Sequence, residues 1–149
     1  MNRLAMFALT AACAALSMPA AAQFAKPEDA VKYRQSAMFM QSQHFGRIAA
    51  MANGRVPYDQ ASAVANAEVV AMVSQLPWSG SYAPGTEGGK AKAEIWKEPA
   101  KFKGHSDKLV VETAKLLATA KTGNLEALKA AVGSLGGTCK ACHDSFRSQ

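Results

Sequence analysis

The sequence predicts an all-α fold, an antiparallel four-helix bundle, and three observations carry that expectation. Apolar residues recur at steps of three and four over four separate stretches. No stretch alternates with period two between hairpin turns. The links between the four stretches are short, apart from one near the middle of the chain. With 149 residues, 49% of them hydrophobic, the chain can bury one ordinary core. Its 11 glycines and 6 prolines exclude collagen-like and low-complexity classes, and its apolar content excludes disorder.

The elements follow in order. Met1-Asn2-Arg3 carries one positive charge, and an apolar run from Leu4 to Leu16 follows it. Pro19 breaks that run, and Ala20-Ala21-Ala22 supplies small residues at a cleavage site. Residues 1–22 therefore read as a secretory signal peptide, cut between Ala22 and Gln23. The run is too short for a membrane anchor, which needs about 20 apolar residues. Removal leaves 149 − 22 = 127 residues, and the loss of Arg3 turns the charge from +6 into 16 − 11 = +5. Cys13 leaves with the signal, so three cysteines become two. No other run is long enough to span a bilayer. The product is expected to be exported without membrane insertion and, the signal being bacterial in style, to reside in the periplasm.

Pro27-Glu28-Asp29 opens the first helix, with proline at the first helical position and acids at the positive end of the dipole. Val31, Met38, Phe45 and Ile48 continue it until Asn53-Gly54. Pro57-Tyr58-Asp59 opens the second, with Ala65, Val69, Met72, Val73 and Leu76 expected on one face and Pro77 at its end. From Trp78 to about Ala93, Pro84, Gly85, Gly88 and Gly89 allow only a long loop. A third helix begins near Pro99 and carries Phe102, Leu109, Leu116, Leu117 and Ala120 as far as Gly123-Asn124. The last is the most regular: Leu125, Leu128, Val132, Leu135, Cys139, Cys142 and Phe146. The basic residues are scattered among these elements, so the net charge suggests no nucleic-acid surface, only a mild preference for acidic partners.

The chemistry lies in Cys139-Lys140-Ala141-Cys142-His143, the C-x-x-C-H pattern of covalent haem attachment. Two thiols three residues apart share one side of a helical turn, where both can form thioethers to the haem vinyl groups. The imidazole of His143 follows directly and is a good axial ligand for haem iron. A disulfide between Cys139 and Cys142 would close a small, strained loop. A thioredoxin-like site needs a βαβ setting, which this pattern lacks. Structural zinc takes four ligands, and His44 and His105 are far off in sequence. The cofactor is thus expected to be haem c, one per chain, thioether-linked through Cys139 and Cys142 on the last helix. His143 stands 149 − 143 = 6 residues from the last residue given, so a sixth ligand would have to come from upstream or be absent.

On these residues the chain resembles the cytochrome c′ family, periplasmic four-helix bundles with C-x-x-C-H on the last helix. The stretch from Phe24 to Gln35 resembles the family's first helix, Pro77-Trp78 and Gly85-Thr86-Glu87-Gly88-Gly89 its central loop, and Phe146-Arg147 its usual ending. The resemblance runs from Gln23 to the C-terminus and implies positions for further residues. Arg34 and Gln35 would lie beside the haem propionates, where a guanidinium fork matches carboxylate oxygens; otherwise they belong to a solvated helix face. Met38 would face the distal side of the iron. There it acts either as a steric gate over five-coordinate iron or, through its thioether, as the sixth ligand, and core packing alone would also explain its spacing. Arg147, four residues after His143, would reach the proximal face or simply favour the helix dipole. His44 and His105 read as surface or interface histidines, and Trp78 and Trp96 as packing residues, Trp78 closing the loop over the haem edge.

Three functions follow. A haem protein that binds nitric oxide and carbon monoxide, and disfavours dioxygen for want of a distal hydrogen-bond donor, leads. A low-spin electron carrier with Met38 bound to iron is the alternative. An enzyme such as a peroxidase ranks last, because the Met38 position offers no distal His or Arg. The resemblance also implies a homodimer packed through the first two helices, whose Ala49, Ala61 and Ala65 suit close approach. It leaves the redox partner open.

Overall fold

The computed structural model describes residues 23–149, so the leader expected over 1–22 lies outside the described residues. Four long helices form the bundle. Helix α1 spans Pro27–Ala52, with Pro27 in the first turn and Glu28 and Asp29 beside it. It ends at Asn53 and Gly54, whose φ of 68° is open to glycine without steric cost. Helix α2 spans Gln60–Val73, and the Asp59 carboxylate accepts from the Ser62 amide at 2.7 Å as its N-cap. A single turn, α3, covers Glu94–Lys97. Helix α4 spans Pro99–Lys121 and α5 Leu125–Phe146, the latter capped by Asn124, whose Oδ1 accepts from the Ala127 amide at 3.0 Å.

Each long helix packs on two neighbours: α1 on α2 and α5, and α4 on α2 and α5. One core runs along the bundle, with Ile48 and Met51 from α1, Ala67 and Val70 from α2, Leu109 and Leu116 from α4, and Leu128, Val132 and Leu135 from α5. Burial of such a side chain contributes roughly 1.5–3 kcal/mol, and this shared stripe is what holds the helices side by side. The α5 stripe expected from its spacing is the buried one, with Cys139 and Cys142 partly covered at its edge.

Two expectations need correction. The inward face of α2 is Ala63, Ala67, Val70 and Val73, whereas Ala65, Met72 and Leu76 point outward. Met72 is 59% exposed and Leu76 40%, and Leu76 lies beyond the end of the helix, which stops four residues before Pro77. The turn α3 was not expected at all. Its four residues sit between the glycine-rich segment and Pro99, and it buries Ile95. Among the described residues the β-structure is one antiparallel bridge, Ala91 with Arg147. That bridge matters to the site, because it ties the long loop to the end of the haem-motif helix.

Candidate functional site

A cavity of about 500 Å³ opens between the first half of α1, the end of α5 and the long loop. Its wall includes Arg34, Gln35 and Met38 from α1, and Cys142, His143 and Arg147 from the C-terminal end. Six of the seven residues singled out in the sequence therefore meet in one place. The seventh, Cys139, is three residues before Cys142 on α5 and packs against the core. His44 and His105 are elsewhere. His44 Nδ1 lies 2.9 Å from Asn66 Oδ1 on α2, and His105 stands edge-on to Phe146 with centroids 5.6 Å apart.

The far wall is aromatic, and the sequence only partly announced it. Trp78, Tyr82 and Phe102 line the cavity with Phe146. Tyr82 stacks near Trp78 at 6.0 Å and meets Phe102 edge-on at 4.7 Å. Phe102 in turn meets Phe146 edge-on at 5.3 Å. Trp78 donates its indole N–H to Ser74 O at 2.5 Å, which ties it to the end of α2, and Trp96 donates to Ala83 O in the loop at 3.2 Å. Trp96 is not on the wall. Tyr82 is the residue missed, and an aromatic in a segment otherwise rich in glycine and proline was the signal that could have found it.

Arg34 is only 3% exposed. Its Nη1 donates to Ser81 O and to Thr86 O at 2.7 Å, and its Nη2 donates to Gly88 O at 3.0 Å. The guanidinium carbon lies 4.8 Å from the Tyr82 ring centroid and 5.9 Å from that of Trp96. One α1 side chain thus holds the loop, whose glycines at 85, 88 and 89 turn through positive φ to present those carbonyls. Gln35 backs the same loop: a Cβ at Gly89 would fall 2.5 Å from its Nε2. The loop's other edge is pinned to α5, where the Lys92 amide donates to Phe146 O at 3.0 Å and the Ser148 amide to Lys90 O at 2.9 Å. Arg147 therefore leaves the helix, contrary to expectation. Its backbone is extended, at φ −123° and ψ 130°, because it pairs with Ala91 rather than continuing α5.

Replacing Arg34 with leucine is expected to strand those carbonyls and cost about 3 kcal/mol. A fall of roughly 10 °C in melting midpoint would accompany it, with faster proteolysis between Ser79 and Lys92. Arg34→Lys should not restore the loop, since an ammonium lacks the planar fork.

The electrostatics suit a flat apolar group that carries acids at one edge. Arg34, Lys90 and Arg147 bring cations to the wall, and no Asp or Glu lines it. Among the described residues Arg34 is in no ion pair, so its buried charge is met by loop carbonyls, the Thr86 hydroxyl and the Tyr82 and Trp96 rings. Burial lowers its pKa, opposed by the nearby Tyr82 and Glu87. Burial raises the Tyr82 hydroxyl to about 12. It raises the Cys139 thiol as well, and takes Cys142 to about 11 with help from Cys139. Neither cysteine is thus tuned as the low-pKa nucleophile of a thiol redox enzyme. Burial, then the positive charge of Arg147, lowers the pKa of His143, which favours the neutral imidazole that binds iron. Among the described residues no third or fourth His, Cys, Asp or Glu gathers into a metal-holding group, which speaks against zinc at the cysteine pair. The residues present therefore fit haem.

A C-x-x-C-H sequence at the end of a four-helix bundle, beside an aromatic cleft, defines a c-type haem protein of the bundle class. Comparison with known proteins narrows the class. The family model described as Cytochrome C' matches residues 29–147. Cytochrome c' of Alcaligenes xylosoxydans xylosoxydans is 50% identical over 127 residues, spanning 85% of this chain and 99% of that one. Cytochrome c' of Rubrivivax gelatinosus is 45% identical over 130 residues, spanning 85% and 100%. A nitric oxide complex of a variant of cytochrome c prime from Alcaligenes xylosoxidans superposes with a TM-score of 0.81 at 49% identity, covering 85% of this chain and 99% of that one. The chain belongs to the cytochrome c′ family. Its cofactor is haem c, for which Cys139 and Cys142 supply the two thiols.

Proposed function

We propose that residues 1–22 are a secretory signal and that 23–149 form a periplasmic haem domain whose iron binds nitric oxide and carbon monoxide. In this reading His143 is the axial ligand, Met38 is a steric gate over the distal side, and the iron is five-coordinate. The observation that carries it is the composition of one cavity wall, with His143 as its one imidazole among the described residues and Met38 facing it from α1. The relative solved as a nitric oxide complex supports the same reading. When bound, haem supplies a redox-active iron with axial sites for such ligands.

The chain's own residues hold and shape that site. Cys139 and Cys142 anchor the group to α5. Arg34, Gln35 and Arg147 offer donors toward its acidic edge, with Arg34 doing so while it keeps the loop closed. The aromatic wall of Trp78, Tyr82 and Phe102 excludes water from the apolar edge. Turnover is not part of this reading. The α1 side of the wall comprises Arg34, Gln35, Met38, Phe39 and Ser42. None of these is a free general base, because an arginine stays protonated.

A second reading rests on the position of Met38 itself, since a thioether on that wall is also a sixth ligand for a low-spin electron carrier. One absorption spectrum of the ferrous protein with and without carbon monoxide separates the two. Broad high-spin bands that shift on adding the gas support the gate; sharp low-spin bands unchanged by the gas overturn it.

We assign the protein a homodimer through α1 and α2. Met40 is 43% exposed on α1, and Met72 and Leu76 are 59% and 40% exposed on the neighbouring α2 segment. Apolar side chains of this size left in water call for a partner surface, and a twofold contact would cover both copies at once. Met72→Glu is therefore expected to weaken self-association by about 100-fold, because each copy would bury an unpaired charge in the contact. Sedimentation at dilute protein reads this effect, while the haem spectrum stays unchanged.

A further inference from the structure

One residue of the cavity wall carries a donor that the chain itself leaves unused. Tyr82 lines the cavity, and its ring is held from several directions. Trp78 stacks near it at 6.0 Å, Phe102 meets it edge-on at 4.7 Å and Trp96 lies tilted at 6.4 Å. The Arg34 guanidinium stands over it at 4.8 Å. Phenylalanine would make every one of these contacts. The hydroxyl adds only a cost, because a phenol O–H drawn among apolar groups needs a partner. None of its polar neighbours supplies one: Arg34 donates to Ser81, Thr86 and Gly88, Trp78 to Ser74, and Trp96 to Ala83.

Two observations say where that hydroxyl lies. Among the described residues, the side-chain oxygens sealed in the interior without a partner belong to Gln41 and Tyr58, and Tyr82 Oη is not one of them. It therefore reaches open space, although burial of the residue pushes its pKa up to about 12. After burial, the groups that act on that pKa are Arg34, which lowers it, and Cys142, which raises it. Both stand on the cavity wall, so the open space that the hydroxyl reaches is the cavity. There the wall carries Arg34, Lys90 and Arg147 and no carboxylate, which suits an acidic guest.

We infer that Tyr82 is a positioning residue for the cofactor: its hydroxyl donates a hydrogen bond to a haem carboxylate that lies against Arg34. Arg34 supplies the charge, but its Nη1 and Nη2 atoms are turned to loop carbonyls, so a second donor completes the shell of the acid. The Tyr82 ring remains part of the apolar wall, and only its tip touches the carboxylate. A donor there draws off part of the negative charge, which makes the iron easier to reduce. This inference rests on haem lying in the cavity with its acids toward Arg34, and on neither gas binding nor the coordination of the iron.

The test compares the natural holoprotein with Tyr82→Phe, which keeps the ring and removes the hydroxyl. Tyr58→Phe is the control, since it removes an unpaired hydroxyl that is not on the cavity wall. Resonance Raman spectra read the bending bands of the haem propionates, and spectroelectrochemistry reads the midpoint potential. Tyr82→Phe is expected to shift one propionate band to lower frequency and the potential to a lower value, while Tyr58→Phe moves neither. Identical bands and potentials in the natural chain and Tyr82→Phe overturn the hydrogen bond. Equal shifts in both variants overturn it too, because a contact with the haem is open to Tyr82 alone. Propionate bands of fully solvated carboxylates in the natural chain place the acids in water, which overturns their position against Arg34 and this inference with it.

Discussion

Cys139→Ala combined with Cys142→Ala is expected to abolish covalent haem, leaving a chain that gives no haem stain on a denaturing gel and releases any bound haem into acidified organic solvent. The two thioethers are the only covalent bonds that the motif provides, with Cys139 beside the core and Cys142 on the cavity wall near the end of α5. Either single substitution should leave one thioether and a shifted spectrum rather than a loss. Cys13→Ala should change nothing in the haem content, because that residue belongs to the expected leader. Stability should suffer as well. The cleft measures about 500 Å³ and is walled by Trp78, Tyr82, Phe102 and Phe146. Emptying the space of a single large side chain costs about 2–5 kcal/mol, whereas a whole domain rests on about 5–15 kcal/mol. The doubly substituted chain is therefore expected to lose its sharp thermal transition, which calorimetry would show as a broad, weak endotherm.

How far the sequence announces this site depends on whether the signal is local. C-x-x-C-H is contained in five residues, and the three-and-four spacing from Leu125 to Phe146 states both the helix and its buried side. Helix α2 is different. Its sequence QASAVANAEVVAMV is small or apolar on nearly every side, so periodicity gives it no preferred direction. Its inward face is chosen by what α1 and α4 leave open, and Met72 and Leu76 fall outside. Arg34 carries a longer-range lesson. A charged residue two turns into a helix reads as solvated until the loop some 50 residues later folds over it and offers its carbonyls. Arg147 is the reverse case, since the helix that the spacing would extend is ended by a bridge to Ala91.

Met38→Ala decides how the iron is guarded. Met38 is half-buried on the cavity wall, between Arg34 one turn before it and Ser42 one turn after. As a gate, its side chain has to move before a ligand enters, and forcing atoms into occupied space costs about 1–3 kcal/mol. Its removal is then expected to tighten carbon monoxide binding by about 10–100-fold, mostly through faster entry, with the ferrous spectrum in the absence of gas unchanged. As a ligand, the thioether occupies the sixth position, and its removal turns sharp low-spin bands into broad high-spin ones before any gas is added. Stopped-flow mixing with carbon monoxide, beside the gas-free spectrum of each protein, reads both quantities. A third result also has meaning: if neither the spectrum nor the rate changes, Met38 is a packing residue and the distal side is guarded by other groups on the wall. Phe39 and Ser42, which share that wall, would then be the next positions to truncate. Of the three, tighter binding with an unaltered gas-free spectrum is the result expected, because α1 brings Met38 to the wall that His143 faces from α5.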